Sequence, residues 1–375
     1  MIYLDYCATT PVDKDVLESF NKVCMDYPGN PNSLHRLGTK LSELINVSTK
    51  QIASILGVKE SEIIYTSGAS ESNNMALKGI ALKYQNRGKH IITTELEHSS
   101  IYGPISFLQK LGFEFDFVEL DKNGHVDLES LEKLIRDDTI LVSINAVNSE
   151  IGIIQPIEEI AKIVKKHPMC FLHVDMTQSV GKINIPLDNV DLMSFSAHKI
   201  FGLKGIGVLV KKEKIGLEPL IHGGKSTTVY RSGTPAAPLI VSTAKALRLI
   251  TENIDANYKY VLKINNEVKD FLSKYSNVTI NSDNNCLPYV LNISVLGAKP
   301  ETFLHALENY DVFISTQSAC SSSNAISKAV MALTNDERRA SSSLRISLSY
   351  KTTEKEIELF KEAFDKCYKE LVGEV

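Results

Sequence analysis

The strongest constraint on the fold is a regular alternation of strand-like and helix-like segments between about residues 50 and 210. The segment TILVSINAV (139–147) is apolar along nearly its whole length. This is typical of a strand that is buried on both faces of a parallel sheet. Helical patterns precede it at 126–138 and follow it at 156–167, the second with proline at its first turn. The alternation predicts β-α-β units, and therefore an α/β fold with a mostly parallel sheet.

The other segments of this region continue the alternation, and the pattern changes after about residue 235. Strands are predicted at 61–67, 89–94, 113–120, 170–175 and 191–196, and helices at 70–85 and 100–112. Beyond residue 235, one long helical stretch at about 238–275 precedes short strands, a helix near 300–309 and a charged helix at 352–371. We expect a large domain of residues 12–250 and a smaller α+β domain formed by residues 1–11 and 251–375.

The charge and hydropathy of the chain argue against several classes of partner. The 375 residues carry a net charge of −4 without a long basic run, which disfavours nucleic acid or an anionic membrane as the main partner. No stretch approaches the roughly 20 apolar residues of a membrane span, and the first residues lack a signal-peptide pattern. We therefore expect a cytoplasmic protein.

The cysteine pattern favours neither a metal site nor a disulfide framework. No two cysteines form a C-x-x-C pair, and their spacing does not match a zinc ribbon. We expect no bound metal, and we expect most of the thiols to be buried or idle. The cysteines are Cys7, Cys24, Cys170, Cys286, Cys320 and Cys367.

Polar side chains follow five of the predicted strands. They lie at residues 68–70, 95–98, 148–150, 175–178 and 196–199. Parallel sheets bind ligands beyond the carboxyl ends of their strands, so these side chains should share one rim. Gly68-Ala69-Ser70 lies between a strand and a helix, where free N–H groups favour an anion, although Ser70 could equally be a helix cap.

Asp175 and Lys199 each allow a structural and a functional interpretation. Asp175 could form a salt bridge, cap a helix or pair with the protonated ring nitrogen of a cofactor. Lys199 could be a solvated lysine or a buried amine that forms a Schiff base. An anion cradle, a carboxylate and a lysine on separate strand ends of one sheet are the three features that pyridoxal 5′-phosphate requires. The combination therefore predicts this cofactor.

These residues and their surrounding motifs resemble the class V aminotransferase family, and within it the cysteine desulfurases of the NifS/IscS type. The resemblance covers almost the whole chain and implies the pyridoxal-phosphate transferase fold of type I, with a mostly parallel seven-stranded sheet. It also implies a homodimer with two shared sites. The motifs are YLDYCATTP (3–11), GNPNSLHRLG (29–38), YTSGASESNNMALKG (65–79), TTELEHSSI (93–101), VNSEIGIIQPI (147–157), LHVDMTQSVGKI (172–183), DLMSFSAHKIFGLKGIGVLV (191–210), HGGKSTTVYRSGTP (222–235), LPYVLNIS (287–294), STQSACSSS (315–323) and SSSLRISLS (341–349).

The resemblance assigns a role to each residue that would hold the cofactor. Lys199 matches the Schiff-base lysine and Asp175 the partner of the pyridinium nitrogen. Gln178 matches the residue that hydrogen-bonds the ring hydroxyl, and His98 the histidine that stacks on the ring. The phosphate ligands would be Ala69, Ser70, Ser196, His198 and, from the neighbouring subunit, Thr234.

The resemblance also implies the reaction. Arg345 matches the arginine that binds the substrate carboxylate, as a planar bidentate donor can. Cys320 matches the catalytic cysteine, and its small, polar surroundings suit a loop that carries a reactive thiol. L-Cysteine would become L-alanine, and the sulfur would pass as a Cys320 persulfide to an iron–sulfur scaffold or a tRNA-thiolation enzyme. His98 would serve as a general acid or base, and Cys7 is expected to be structural.

Two departures from the family pattern keep other functions open. Ser149 stands where the family has an asparagine that contacts cofactor and substrate, and residues 225–229 replace a segment richer in glycine and containing glutamate. A selenocysteine lyase, a cysteine sulfinate desulfinase or an aminotransferase on the same scaffold are alternatives, although a plain aminotransferase needs no thiol. A degenerate cofactor-binding partner protein is another.

Overall fold

The computed structural model describes residues 1–316 and 326–373. The strands are β1 (Ile2–Tyr3), β2 (Ile63–Thr66), β3 (His90–Thr93), β4 (Glu114–Phe117), β5 (Thr139–Asn145), β6 (Phe171–Asp175), β7 (Leu192–Ser196), β8 (Gly207–Lys211), β9 (Val278–Ile280), β10 (Val290–Val295), β11 (Val312–Phe313) and β12 (Ser343–Ser347). The α-helices are α1 (Lys14–Asp26), α2 (Arg36–Leu56), α3 (Ala69–Tyr84), α4 (Ser99–Gln109), α5 (Leu128–Leu134), α6 (Ile157–Val164), α7 (Ala237–Thr251), α8 (Ile254–Leu272), α9 (Pro300–Glu308), α10 (Lys328–Thr334), α11 (Glu337–Ser341) and α12 (Glu354–Leu371).

The main sheet has seven strands in the order β2-β8-β7-β6-β5-β3-β4. Strand β8 pairs antiparallel with β2 and β7, and every other pair is parallel. Strands β2, β3, β5, β6 and β7 therefore end at the same edge. The prediction of an α/β fold with a mostly parallel sheet is confirmed.

Helices cover both faces of this sheet. Successive side chains of a strand point to opposite faces, so each strand contributes to the apolar cluster on either side. Leu192 joins an apolar cluster with Met75 of α3 and Ile105 of α4. The next residue, Met193, joins the other cluster, with α6 and α7. All seven residues of β5 are buried, as the apolar run predicts. Most predicted segments lie within a few residues of the observed elements.

The long helical stretch predicted at 238–275 is wrong in one respect, because it is two helices. Helix α7 ends at Thr251 and α8 begins at Ile254. Asn253 between them has φ −136° and ψ 37°, outside the helical region. Asparagine competes with helical hydrogen bonds through its side chain and favours such boundary positions.

The C-terminal residues form a second, antiparallel sheet in the order β12-β10-β9, and β1 pairs with β11. The N-terminal segment packs here, since Ser347 N donates to Leu4 O at 2.8 Å. The division into domains at residues 11 and 250 stays a prediction. Across the described ranges, 1–316 and 326–373, no helix combines the length and the apolar character needed to cross a membrane.

Candidate active site

A cavity of about 420 Å³ lies at the carboxyl ends of the main-sheet strands. Its volume is in the range of small-molecule sites. It brings together most of the predicted site residues: Ala69, Ser70, His98, Ser149, Asp175, Gln178, Ser196, His198, Lys199 and Arg345. Thr234 instead lines a neighbouring cavity of about 90 Å³. Cys320 lies outside the described residues.

Lys199 reaches the cavity from a short 3-10 turn, Ala197–Lys199, that directly follows β7. Its Nζ donates hydrogen bonds to the backbone carbonyl oxygens of Cys7, at 2.5 Å, and Ala8, at 2.8 Å. Burial lowers the pKa of the Lys199 amine to about 8, and the cations of Arg345 and Lys182 act in the same direction. A useful fraction of this amine is therefore neutral and nucleophilic near neutral pH.

Asp175 is the last residue of β6 and is almost completely buried. Its Oδ1 accepts hydrogen bonds from Thr177 N at 3.0 Å and Thr177 Oγ1 at 2.5 Å. Its Oδ2 accepts one from Asn73 Nδ2 at 2.7 Å. These three donors compensate part of the cost of burying the carboxylate.

His98 caps the N-terminus of α4 and also lines the cavity. Its Nδ1 accepts a hydrogen bond from Ser100 N at 3.2 Å and lies 2.8 Å from Ser100 Oγ. Since Nδ1 acts as an acceptor, the network assigns the proton of the neutral ring to Nε2. Burial lowers the pKa of His98, which favours this neutral form.

Asn73 links these two groups and was missed by the sequence analysis. Its Nδ2 donates to Asp175 Oδ2 and also to Ser100 Oγ, at 2.9 Å. One amide therefore connects the carboxylate on β6 with the serine that contacts His98. The available signal was a polar residue within helix α3, in the motif SESNNMALKG, but only the fold shows that Asn73 is buried against the sheet edge.

The N-terminus of α3 lines the cavity and has the features of an anion-binding site. The first N–H groups of a helix have no intrahelical acceptor and carry partial positive charge. The residue before the helix, Gly68, lies very close to β8. A Cβ on Gly207 of β8 would lie only 2.5 Å from the Gly68 carbonyl carbon. Glu71 in the first turn pairs with Arg231 (3.0 Å) and accepts from Ser67 N (2.7 Å), so its charge is compensated.

Ser196 and His198 also line the cavity. Ser196 ends β7, and a Cβ on Gly68 would lie 3.6 Å from its Oγ. His198 Nδ1 lies 3.1 Å from Thr9 Oγ1. Burial, with the charges of Lys199 and Lys204, lowers the pKa of His198 to about 4, so the ring is neutral at physiological pH.

Arg345 enters the cavity from β12 of the second sheet and is only 1% exposed. Its Nη2 lies 2.8 Å from Asp5 Oδ1, and its Nη1 donates to the carbonyl oxygen of Ser149 at 3.1 Å. The N-terminal segment thus holds the guanidinium, a contact that the sequence did not predict. Ser149 lines the cavity beside it.

Ser315 and Ser327, described residues on either side of 317–325, lie close to the cavity. Ser315 and Arg345 exchange backbone hydrogen bonds at 3.1 and 2.6 Å. On the other side, Ser327 Oγ donates to Glu150 Oε2 at 2.7 Å, and Glu150 follows Ser149 in the chain. Ser315 therefore contacts a residue that lines the cavity, and Ser327 contacts the residue next to one.

A buried amine of lowered pKa, a buried carboxylate and a helix N-terminus on one cavity are features of an enzyme that holds pyridoxal phosphate. Comparison with known proteins agrees. The class V aminotransferase family matches residues 2–360. Cysteine desulfurase IscS of Dictyoglomus turgidum is 38% identical over 375 residues, which cover 99% of this chain and 95% of that protein.

Solved structures extend the comparison. A NifS-like protein has a TM-score of 0.94 and 36% identity, and the match covers 99% of this chain and 100% of that one. A structure of SspA in complex with cysteine has a TM-score of 0.83 and 33% identity, covering 94% of this chain and 100% of that one. The chain belongs to the class V aminotransferase family and, within it, to the cysteine desulfurases of the NifS/IscS type. The predicted family, fold class and enzyme class are confirmed.

Proposed function

We propose that this cavity converts L-cysteine to L-alanine and delivers the sulfur atom to Cys320. The observation that carries the proposal is Lys199, a buried amine of lowered pKa at the end of a parallel strand, on the same cavity as Asp175 and the N-terminus of α3. The family membership supports the substrate, and the related SspA was solved with cysteine.

The described residues fit pyridoxal 5′-phosphate. Lys199 would bind its aldehyde carbon, Asp175 would face its ring nitrogen, and Gln178 and His98 would contact the ring. The α3 N-terminus with Ala69 and Ser70, together with Ser196 and His198, would hold its phosphate. When bound, this cofactor withdraws electrons from the α-carbon of an attached amino acid.

The protein's own groups would then position the substrate and move its protons. Arg345 would pair with the substrate carboxylate through its planar guanidinium. The Lys199 amine, once free, would accept the α-proton and return it to the carbon that derives from the cofactor's aldehyde group. His98 would exchange a proton through Nε2, the ring nitrogen that the contacts with Ser100 do not use.

The sulfur transfer itself would take place at Cys320. The Cys320 thiolate forms a bond to the substrate sulfur as the bond between that sulfur and the β-carbon breaks. The pair of electrons from the broken bond stays with the carbon, which is then protonated. L-Cysteine and a thiol thus give L-alanine and a persulfide, without an external oxidant or reductant. The contacts of Ser315 with Arg345 and of Ser327 with Glu150, beside Ser149, support this assignment.

The oligomeric state and the sulfur acceptor are proposed from the same family membership. We propose a homodimer in which Thr234 reaches the phosphate of the neighbouring subunit. The persulfide would pass to an acceptor protein, such as an iron–sulfur scaffold or a tRNA-thiolation enzyme. A cytoplasmic location remains a prediction of the sequence.

Purified protein loaded with pyridoxal phosphate is expected to form alanine and, with a thiol reductant, sulfide from L-cysteine in equal amounts. The assay compares L-cysteine with selenocysteine and cysteine sulfinate at equal concentrations. A clear preference for either of the latter would assign the chain to that activity instead. A loaded protein that is yellow but converts none of the three would favour the cofactor-binding partner protein.

Capture of pyridoxal phosphate by the apoprotein should depend on pH. Because burial lowers the pKa of Lys199 to about 8 from 10.5, the neutral amine fraction should rise about tenfold per pH unit below pH 8 and level off above it. Stopped-flow absorbance from pH 6 to 10 measures the rate of covalent capture. A rate that still rises tenfold per unit above pH 9 would mean that Lys199 has an ordinary pKa.

A further inference from the structure

A lysine behind the cavity wall contacts one of the residues proposed to hold the cofactor. Lys182 is only 6% exposed, and its Nζ donates a hydrogen bond to Gln178 Oε1 at 2.8 Å. The Nζ also lies 5.9 Å from the ring centroid of Tyr289. Within the described part of the chain, no carboxylate lies at ion-pair distance from Lys182. A buried lysine without a carboxylate is costly, and burial lowers its pKa.

The contacts of Gln178 fix the orientation of its amide from both ends. Its Nε2 donates to the Cys7 carbonyl oxygen at 3.1 Å. That oxygen can only accept, so the amide nitrogen must face Cys7 and the amide oxygen must face Lys182. The nitrogen carries two hydrogens and Cys7 takes one. Because Gln178 lines the cavity, the second N–H is left for a ligand there.

The same carbonyl connects this arrangement to Lys199. The Cys7 oxygen accepts from Gln178 Nε2 and, at 2.5 Å, from Lys199 Nζ. Lys182, Gln178, Cys7 and Lys199 therefore form one continuous hydrogen-bonded series. Lys182, at one end, lies behind the cavity wall, and Lys199, at the other end, lines the cavity.

We propose that Lys182 is a positioning residue, which holds the amide oxygen of Gln178 so that the free amide N–H points at the ring oxygen of the cofactor. This rests on the proposed function only in placing pyridoxal phosphate in the cavity, and it is independent of the amino acid that reacts. Without Lys182, the buried amide oxygen loses its donor, and rotation of the amide would bring that oxygen against the Cys7 carbonyl.

The test titrates apoprotein with pyridoxal phosphate and follows both the affinity and the visible absorption band of the bound cofactor. Lys182→Met is expected to weaken binding about tenfold, the effect of losing one well-placed polar contact. It is also expected to shift the band, because the ring oxygen loses a fixed donor. Lys182→Arg, which keeps a donor, should restore the affinity to within about threefold of wild type.

Two controls separate positioning from a general loss of structure. Lys211 is also buried and donates to a carbonyl, that of Ile215, at 2.7 Å, but it lies on β8 away from the cavity lining. Lys211→Met should leave the affinity and the band unchanged. In a Gln178→Ala background, Lys182→Met should cause no further loss, because Lys182 acts through Gln178.

The proposal would be overturned if wild type and Lys182→Met bound pyridoxal phosphate with equal affinity and gave the same absorption band. It would also be overturned if Lys182→Met weakened binding as much in the Gln178→Ala background as in the wild type. If circular dichroism shows that Lys182→Met does not fold, Lys182→Leu, which also lacks a donor, takes its place with the same expectations. A wild-type protein that binds no pyridoxal phosphate would instead contradict the proposed function.

Discussion

Lys199→Ala is expected to lower the rate of alanine formation from L-cysteine about a thousandfold or more. The change removes both the amine that binds the cofactor aldehyde and the group proposed to move the α-proton, and covalent and acid–base catalysis each contribute large factors. The absorption band of the covalent link should also disappear. Both are measured on protein incubated with excess pyridoxal phosphate, by alanine analysis and by visible spectroscopy.

Two comparisons make the Lys199 experiment specific. Lys199→Arg keeps a cation in the cavity but replaces the amine by a guanidinium that stays protonated, so it should be as inactive as Lys199→Ala. An added small amine should restore part of the activity of Lys199→Ala, since it fits the space left by the side chain. An unchanged band in Lys199→Ala would assign the covalent link to another lysine and remove the central argument for the site.

Cys320→Ala is expected to bind pyridoxal phosphate like wild type and yet release less than about one hundredth of the wild-type sulfide from L-cysteine. Removing a nucleophile abolishes the step it performs and leaves binding intact, so the loss should appear in kcat. The expected pattern is normal cofactor absorbance with no persulfide on the protein. Sulfide assays with a reductant and mass spectrometry of the intact chain measure the two.

The other cysteines provide matched controls for this experiment. Cys24 is exposed on α1, so Cys24→Ala should keep full activity. Cys7 lines the cavity, and its backbone carbonyl accepts a hydrogen bond from Lys199. Cys7→Ala should therefore retain sulfide release. Wild-type sulfide release by Cys320→Ala, together with its loss in Cys7→Ala, would transfer the role of nucleophile to Cys7.

The positions of the strand ends were predictable because their signals are local. A continuous apolar run such as 139–147 marks a strand buried on both faces, and the carboxyl ends of parallel strands must share an edge. Asp175, Ser196 and Lys199 follow such runs directly, so their meeting at one cavity needs only the sheet. The break between α7 and α8 was missed, because a single asparagine within a good helical pattern is a weak signal.

Contacts between distant segments could not be predicted from the residues themselves. Asp5 and Arg345 are 340 positions apart, and nothing in the sequence indicates that they form an ion pair. In the sequence alone, Asn73 looks like an ordinary polar residue of a helix. Only the packing of α3 against the sheet directs its amide at Asp175 and Ser100. In the sequence alone, nothing distinguishes Lys182 from a solvated lysine. Only the structure shows that the turn after β6 buries it beside Gln178.

The sequence by itself determined the α/β class, the edge at which the ligand site lies and the family, because periodicity and contiguous motifs are properties of short segments. Only the tertiary structure decided which groups share hydrogen bonds: the N-terminal carbonyls that hold Lys199, the aspartate that holds Arg345 and the amide that joins Asp175 to the His98 network. The reason is physical. A hydrogen bond requires two atoms within about 3 Å, and between residues far apart in the chain that distance is set by packing.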